Sequence, residues 1–464
     1  MLFSELQFFV FFSGYLLLHL IVPAKHRIYL VIAGGSVFYS WWRLDYLWVP
    51  YLLTALAFIG VSWMEAANDP HTRRKRLIAV VALILAPLIV IKYSYFIAAN
   101  FASLLDRQNM VERFSYLKFS LPLGISFITF TAIAYVVDVY RRRYLPEKKI
   151  SIVLAYVMFF PHLIAGPILR PHELMPQLKQ LRTALGARFL TGAGIFTLGL
   201  FKKLAIADQL AVIVEPVFAQ GANPSAFEYI LAIYGFSAQI YCDFSGYTDM
   251  AIGLAYILRI RLPTNFLRPY SATSIIDFWR RWHITLSHWL RDYIYVSLGG
   301  NRSGSTKRNI NLLLTMAIGG FWHGANWTFL VWGLLHGCAL VIVHRFRVLG
   351  IRLPQWLAVV ITFHFVTLAW IFFRAADLTT AFRVLGGPFI ASWESLFMDI
   401  NANSFAFALM ALFFLTHRFD RHALVRFGMS RISWAITVPF LAFLWTVAFT
   451  LSQGSSAKFI YFDF

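Results

Sequence analysis

Charge is scarce in this 464-residue chain: 13% of its residues are Asp, Glu, Lys or Arg, against 59% hydrophobic and 18% aromatic. Soluble domains carry about 25% charged residues, so a chain near half that level cannot clothe several soluble domains. Together with a mean hydropathy of +0.66, the composition points to a polytopic membrane protein. Cysteine is nearly absent, with Cys242 and Cys338 each inside an apolar run, which excludes a disulfide framework and a cysteine zinc site. Acids are few as well, 21 against 41 basic residues, for a net charge of +20. The basic residues lie in short loops between apolar runs, as in Arg73-Arg74-Lys75-Arg76 and Arg141-Arg142-Arg143. That is the positive-inside pattern, with membrane lipid as an expected partner; no basic patch on a soluble fold suggests nucleic acid. The first apolar run has no basic residues before it and no small-residue cleavage site, so it reads as a membrane helix rather than a signal peptide.

A bilayer crossing needs about 17 to 25 apolar residues. Twelve candidate segments stand at 6–22, 28–42, 46–64, 77–96, 119–139, 190–214, 227–258, 310–325, 326–344, 356–373, 404–416 and 434–451. Segments 28–42 and 404–416 are short for a crossing. So is 151–165, which runs through Pro161-His162 into Gly166-Pro167 and reads as a re-entrant or tilted piece. If the basic loops are all cytoplasmic and 151–165 does not cross, the N-terminus lies outside and every segment alternates consistently. The expected fold class is an all-α polytopic membrane protein, with residues 1–464 forming one membrane-embedded domain.

The most unusual stretch is 277–336. It opens with DFWRRWHITLSHWLRD, which is amphipathic at helical spacing and suits a helix lying at the membrane interface. Arg280, Arg281, Trp282 and His283 either anchor that helix or border an entrance for an anionic donor, since guanidinium groups suit phosphates. His323 follows about fourteen residues into an apolar segment, roughly 20 Å from its cytoplasmic end at 1.5 Å per residue. A neutral imidazole near mid-membrane can act as a general base, and ionisable groups at such depth usually serve function. The bland reading is a histidine bonded to a neighbouring helix; Gly319, Gly320 and Gly324 suit either substrate access or close packing. His336 and Asn326 are supporting candidates, one on the returning helix and one at the turn before it.

Asp243 and Asp249, in IYCDFSGYTDMAIG, are carboxylates in an apolar run. Structural pairing, with arginines of the 280s as candidates, is the favoured reading; Ser245, Gly246 and Thr248 are expected to interrupt the helix. An ion relay, as in a secondary transporter or flippase, is the competing reading. Other motifs fail. His172-Glu173 lacks the second histidine of HExxH, residues 299–306 place Ser305 where a nucleotide loop needs lysine, and no GxSxG is present. His288 and Asp292 have the HxxxD spacing of some soluble acyltransferases, but in the wrong context. No metal site is expected.

Five motifs taken together resemble the membrane-bound O-acyltransferase family, and within it the bacterial polysaccharide O-acetyltransferase branch. They are FPHLIAGPILR (160–170), AQIYCDFSGYTDMAIG (238–253), FWRRWHITLSHWLRDYIYVSLGGNR (278–302), GGFWHGANWTFLVWGLLHG (319–337) and FIYFDF (459–464). The last departs from an expected FIYFQF. The resemblance implies about 11–12 transmembrane helices with re-entrant and interfacial pieces around a central funnel. It implies that His323 is the essential histidine and His283 the second. It further implies an acetyl group taken from a cytoplasmic thioester, acetyl-CoA above all, and carried across the bacterial inner membrane for O-acetylation of an exported polysaccharide such as alginate. Periplasmic modification proteins would be the partners, and no cofactor would be bound. Cellulose and peptidoglycan remain alternative acceptors. In this mechanism His323 activates the acceptor hydroxyl while His283, Arg280 and Arg281 hold or polarise the donor; an acetyl-histidine is the variant route.

Overall fold

In lipid, an apolar segment closes its backbone hydrogen bonds most cheaply as a helix. The computed structural model describes all residues except 106–111, 182–186, 303, 453–458 and 461–464; among those described there are helices and no strands. Among the described residues, six helices are long and apolar enough to cross a membrane: Leu44–Glu65, Pro70–Leu104, Arg188–Phe218, Trp327–Val348, Gln355–Arg374 and Trp434–Ser452. A seventh results if Leu396–Ala402 and Ser404–Phe419, bent by 72°, form one span. The apolar helices Leu6–Ile21 and Ile125–Tyr140 are shorter. The remaining expected segments are short, as Arg27–Ser40 with 14 residues, or more polar, as the 32-residue Ala226–Ile257 helix with Asp243 and Asp249. This is an all-α, multi-pass membrane protein.

The chain divides into two compact units. The first comprises Met1–Gly192 and Ala251–Pro263. Its longest helix, Pro70–Leu104, begins where Asp69 accepts the Thr72 N–H at 2.9 Å and Pro70 occupies the first turn, where a missing N–H costs nothing. Glu65, at the end of the Trp48–Glu65 helix, gathers Arg73 at 2.7 Å and Arg142 at 2.5 Å. Arg73 also donates to the Tyr140 carbonyl at 2.9 Å, tying together three helix ends. The short 151–165 piece is two helices, Ile150–Met158 and Phe160–Leu163, broken at Phe159. Buried residues surround the break, which is the condition for irregular backbone within a membrane protein.

The second unit comprises Ala193–Met250 and Thr264–Phe464. Its closest packing is a helical hairpin, Gly304–His323 against Trp327–Val348. A Cβ on Gly320 would come within 2.3 Å of the Phe329 carbonyl oxygen, and one on Gly333 within 2.3 Å of the Met316 oxygen. Only glycine permits that approach. Asn326 makes the turn: its side-chain oxygen accepts the Thr328 N–H at 3.1 Å and its amide donates to the Ala376 carbonyl at 2.6 Å.

Two expectations require correction. Ser245, Gly246 and Thr248 do not interrupt their helix, which is continuous from Ala226 to Ile257. Gly246 instead lets the Gly199 backbone come close, since a Cβ there would lie 2.7 Å from the Gly199 oxygen. The 277–292 block is not one amphipathic helix. It is Ile275–Trp279, a turn, Ile284–Trp289 and a π-helical segment, Leu290–Tyr295, with the break at His283, whose φ is +40°.

Candidate functional site

His283 is fully buried at that left-handed position, an uncommon conformation for a residue with a Cβ. Asn265 holds it there. The Asn265 carbonyl accepts the Ile284 N–H at 2.9 Å, and its side-chain oxygen accepts from the Thr285 N–H at 3.1 Å and the Thr285 hydroxyl at 2.9 Å. The same oxygen lies 3.2 Å from His283 Nδ1. An atom that accepts a backbone N–H must be the amide oxygen, so Nδ1 carries the hydrogen and Nε2 is the basic nitrogen. His283 lies outside the counted spans, and burial pushes its pKa down to about 3, keeping the ring neutral.

Aromatic rings link His283 to the other two candidate histidines. Trp322 stands 6.4 Å from His283 and 4.8 Å from His323, centroid to centroid. Trp332 in turn stands 5.1 Å from His323, edge-on at 90°, and 4.8 Å from His336. Trp370 stacks on Trp332 at 5.6 Å and meets Trp282 at 4.9 Å; Phe373 closes on His323 at 5.1 Å. All three histidines are at least 95% buried among these rings. His323 is the last residue of its helix, which starts earlier than expected, at Gly304, and ends before Gly324. At a helix C-terminus the backbone dipole favours a positive charge, which suits an imidazole that takes up a proton. Both ring nitrogens of His336 lack a hydrogen-bond partner among the described residues.

The predicted donor-side residues separate. Arg280 is exposed, Arg281 donates to Asp277 at 3.0 Å, and Trp282 is buried in the aromatic cluster. Asp243 is buried elsewhere in the unit. It pairs with Lys203 at 2.7 Å and accepts the Ile460 N–H at 2.8 Å, while Phe459 packs 5.9 Å from Phe244, itself 4.7 Å from His283. Of the FIYFDF motif, 461–464 lie outside the described residues.

Sequence reasoning missed the cations that neutralise the buried carboxylates. Lys202 and Lys203 begin a π-helical segment, Lys202–Ala207. Lys202 bridges Asp249 at 2.7 Å and Asp420 at 2.5 Å; Lys203 bridges Asp243 and Asp208, both at 2.7 Å. His422 meets Asp249 at 2.6 Å, and the Tyr241 hydroxyl donates to Asp420 at 2.7 Å. Both carboxylates are therefore paired, but with lysines rather than arginines of the 280s. The signal was Lys-Lys inside the apolar run LGLFKKLAIA, since buried ammonium groups require partners.

The three buried imidazoles thus share one aromatic cluster in an all-α, multi-pass protein. Residues 83–378 match the family model described as MBOAT, membrane-bound O-acyltransferase family, and the chain belongs to that family. It is an acyltransferase. It is 40% identical over 391 residues to a probable alginate O-acetylase of Azotobacter vinelandii, covering 83% of this chain and 77% of that one. It is 39% identical to a probable alginate O-acetylase of Pseudomonas aeruginosa, over 84% and 75% of the two chains. It is also 39% identical to a peptidoglycan O-acetyltransferase of Helicobacter pylori, over 81% and 76%.

Proposed function

We propose that this chain O-acetylates an exported polysaccharide such as alginate, taking the acetyl group from a cytoplasmic thioester, most simply acetyl-CoA. The observation that carries the reading is the linkage of His283 and His323 through Trp322, within the family-matched residues. His323 takes the proton of an acceptor hydroxyl, whose oxygen attacks the acetyl carbonyl carbon. The carbon–sulfur bond then breaks, and the departing thiolate recovers the proton from the imidazolium. His283, with its hydrogen on Nδ1, offers Nε2 as an acceptor; it would hold an N–H of the donor rather than polarise the carbonyl. Arg280, exposed at the surface, would meet the donor's phosphates.

The chain would sit in a bacterial inner membrane with its N-terminus periplasmic and its basic loops cytoplasmic, handing acetyl groups to periplasmic modification proteins. The peptidoglycan relative, nearly as similar as the alginate ones, supports a second acceptor class. Membrane vesicles containing the protein, supplied with acetyl-labelled acetyl-CoA, test the donor and acceptor together. Label appearing in added alginate oligomers, with the periplasmic partners present, supports the reading. Label in peptidoglycan fragments alone moves the acceptor, and label in neither contradicts the acetyl-CoA assignment.

A further inference from the structure

The first unit contains a cleft of about 860 Å3 lined by five cations and a single acid. It lies where the Arg27–Ser40 and Ile150–Met158 helices begin and the Pro171–Leu178 helix ends. The acid, Glu147, is already engaged by Lys179 at 2.5 Å. The side chains of the other four cations, Lys25, Arg143, Lys148 and Lys149, make no hydrogen bond or ion pair among the described residues. Positive-inside bias explains lysines on these loops but not their convergence on one cleft. Other basic residues do find partners, as Arg73 and Arg142 do on Glu65. The Ile150–Met158 helix also starts here, directly after Lys149 and without a side-chain cap. Helix N-termini are electropositive and favour acids, so dipoles and side chains add to one positive field. Apolar side chains share the lining: Ile28 and Leu178 face the cleft, and Tyr29 and Leu145 stand 59% and 80% exposed beside it.

We propose that this cleft binds the phosphodiester headgroup of an anionic phospholipid. Lys25, Arg143, Lys148 and Lys149 surround the phosphate, while Tyr29 and Leu145 lie against the acyl-bearing end. Cations beside exposed apolar side chains match an amphiphile, whereas a soluble phosphate compound would leave Leu145 in water. The inference is independent of the acceptor and donor proposed above, because it requires only a membrane protein.

The test uses the full chain, purified in neutral detergent and stripped of native lipid, with binding read by native mass spectrometry. Phosphatidylglycerol is expected to bind more tightly than phosphatidylcholine. The variant K148Q/K149Q is expected to weaken phosphatidylglycerol roughly tenfold or more, the scale of two lysines at an anionic surface. The control R74Q/K75Q, which removes two exposed cations from the first turns of the Pro70–Leu104 helix, is expected to bind as wild type does. A thermal melt checks folding, and K25Q/R143Q replaces K148Q/K149Q if that variant does not fold. Equal binding by the cleft variant and wild type, or equal weakening in the control, overturns the site. Displacement of the lipid by inorganic phosphate or ADP at comparable concentration overturns the lipid assignment and gives the cleft to a soluble phosphate compound.

Discussion

The side-chain oxygen of Asn265 lies 3.2 Å from Nδ1 of His283 and fixes which of its nitrogens is basic. Because the same oxygen accepts from both the backbone and hydroxyl of Thr285, it cannot rotate away without losing three contacts. A residue 18 positions upstream thus sets which ring nitrogen of His283 carries the hydrogen.

Asn265→Asp should expose that dependence. Burial lowers His283 from the ordinary imidazole value of 6.5 to about 3. Between those pH values the unfolded chain binds a proton that the folded chain does not, so this histidine's effect on stability becomes less favourable as pH falls from 6.5 toward 3. A carboxylate at the Asn265 position favours the imidazolium and raises the folded pKa by about one unit or more. The acid limb of the pH–rate profile should move up accordingly. An unmoved profile, with the variant folded, would remove His283 from the reaction.

Lys202→Met should be among the most damaging single changes in the second unit. It removes the buried cation shared by Asp249, itself buried, and the partly exposed Asp420, and breaking such a network costs about 3–5 kcal/mol. The triple variant K202M/D249N/D420N should recover part of the loss, since it also removes the uncompensated charges. Thermal unfolding in detergent, followed by tryptophan fluorescence, compares the two; a triple variant no better than the single one would contradict the pairing.

His336→Phe separates packing from chemistry. The imidazole stacks on Phe278 at 6.0 Å and meets Trp279 at 5.2 Å, with both its nitrogens lacking a hydrogen-bond partner among the described residues. A phenyl ring fills similar space without burying unpaired polar atoms, so the melting temperature should hold or rise. Native proteins seldom keep such atoms without use, so acetylation should fall. Full activity in the variant would make His336 a packing residue.

These outcomes also show what local pattern can reveal. Apolar length announced the helices, and Trp322-His323 stood out because an imidazole in an apolar run is costly. The break at His283 was not legible, because a left-handed histidine is imposed by Asn265 rather than by propensity. Nor were the partners of Asp243 and Asp249: Lys202 and Lys203 lie forty or more residues away in sequence and reach them from a π-helical segment. Glycine carried two meanings that sequence alone does not separate. At Gly246 it marks close helix contact where a break was expected, and at Gly320 it lets the hairpin beneath His323 close.

The most direct measurement is the O-acetyl content of the exported polysaccharide in cells that make wild type, His323→Gln or His323→Ala, at matched membrane abundance. The account predicts loss of at least about a hundredfold in acetylation rate for both variants, the scale of a missing general base, with normal protein levels. Acetylation retained near the wild-type level in either variant would contradict His323 as the base that activates the acceptor.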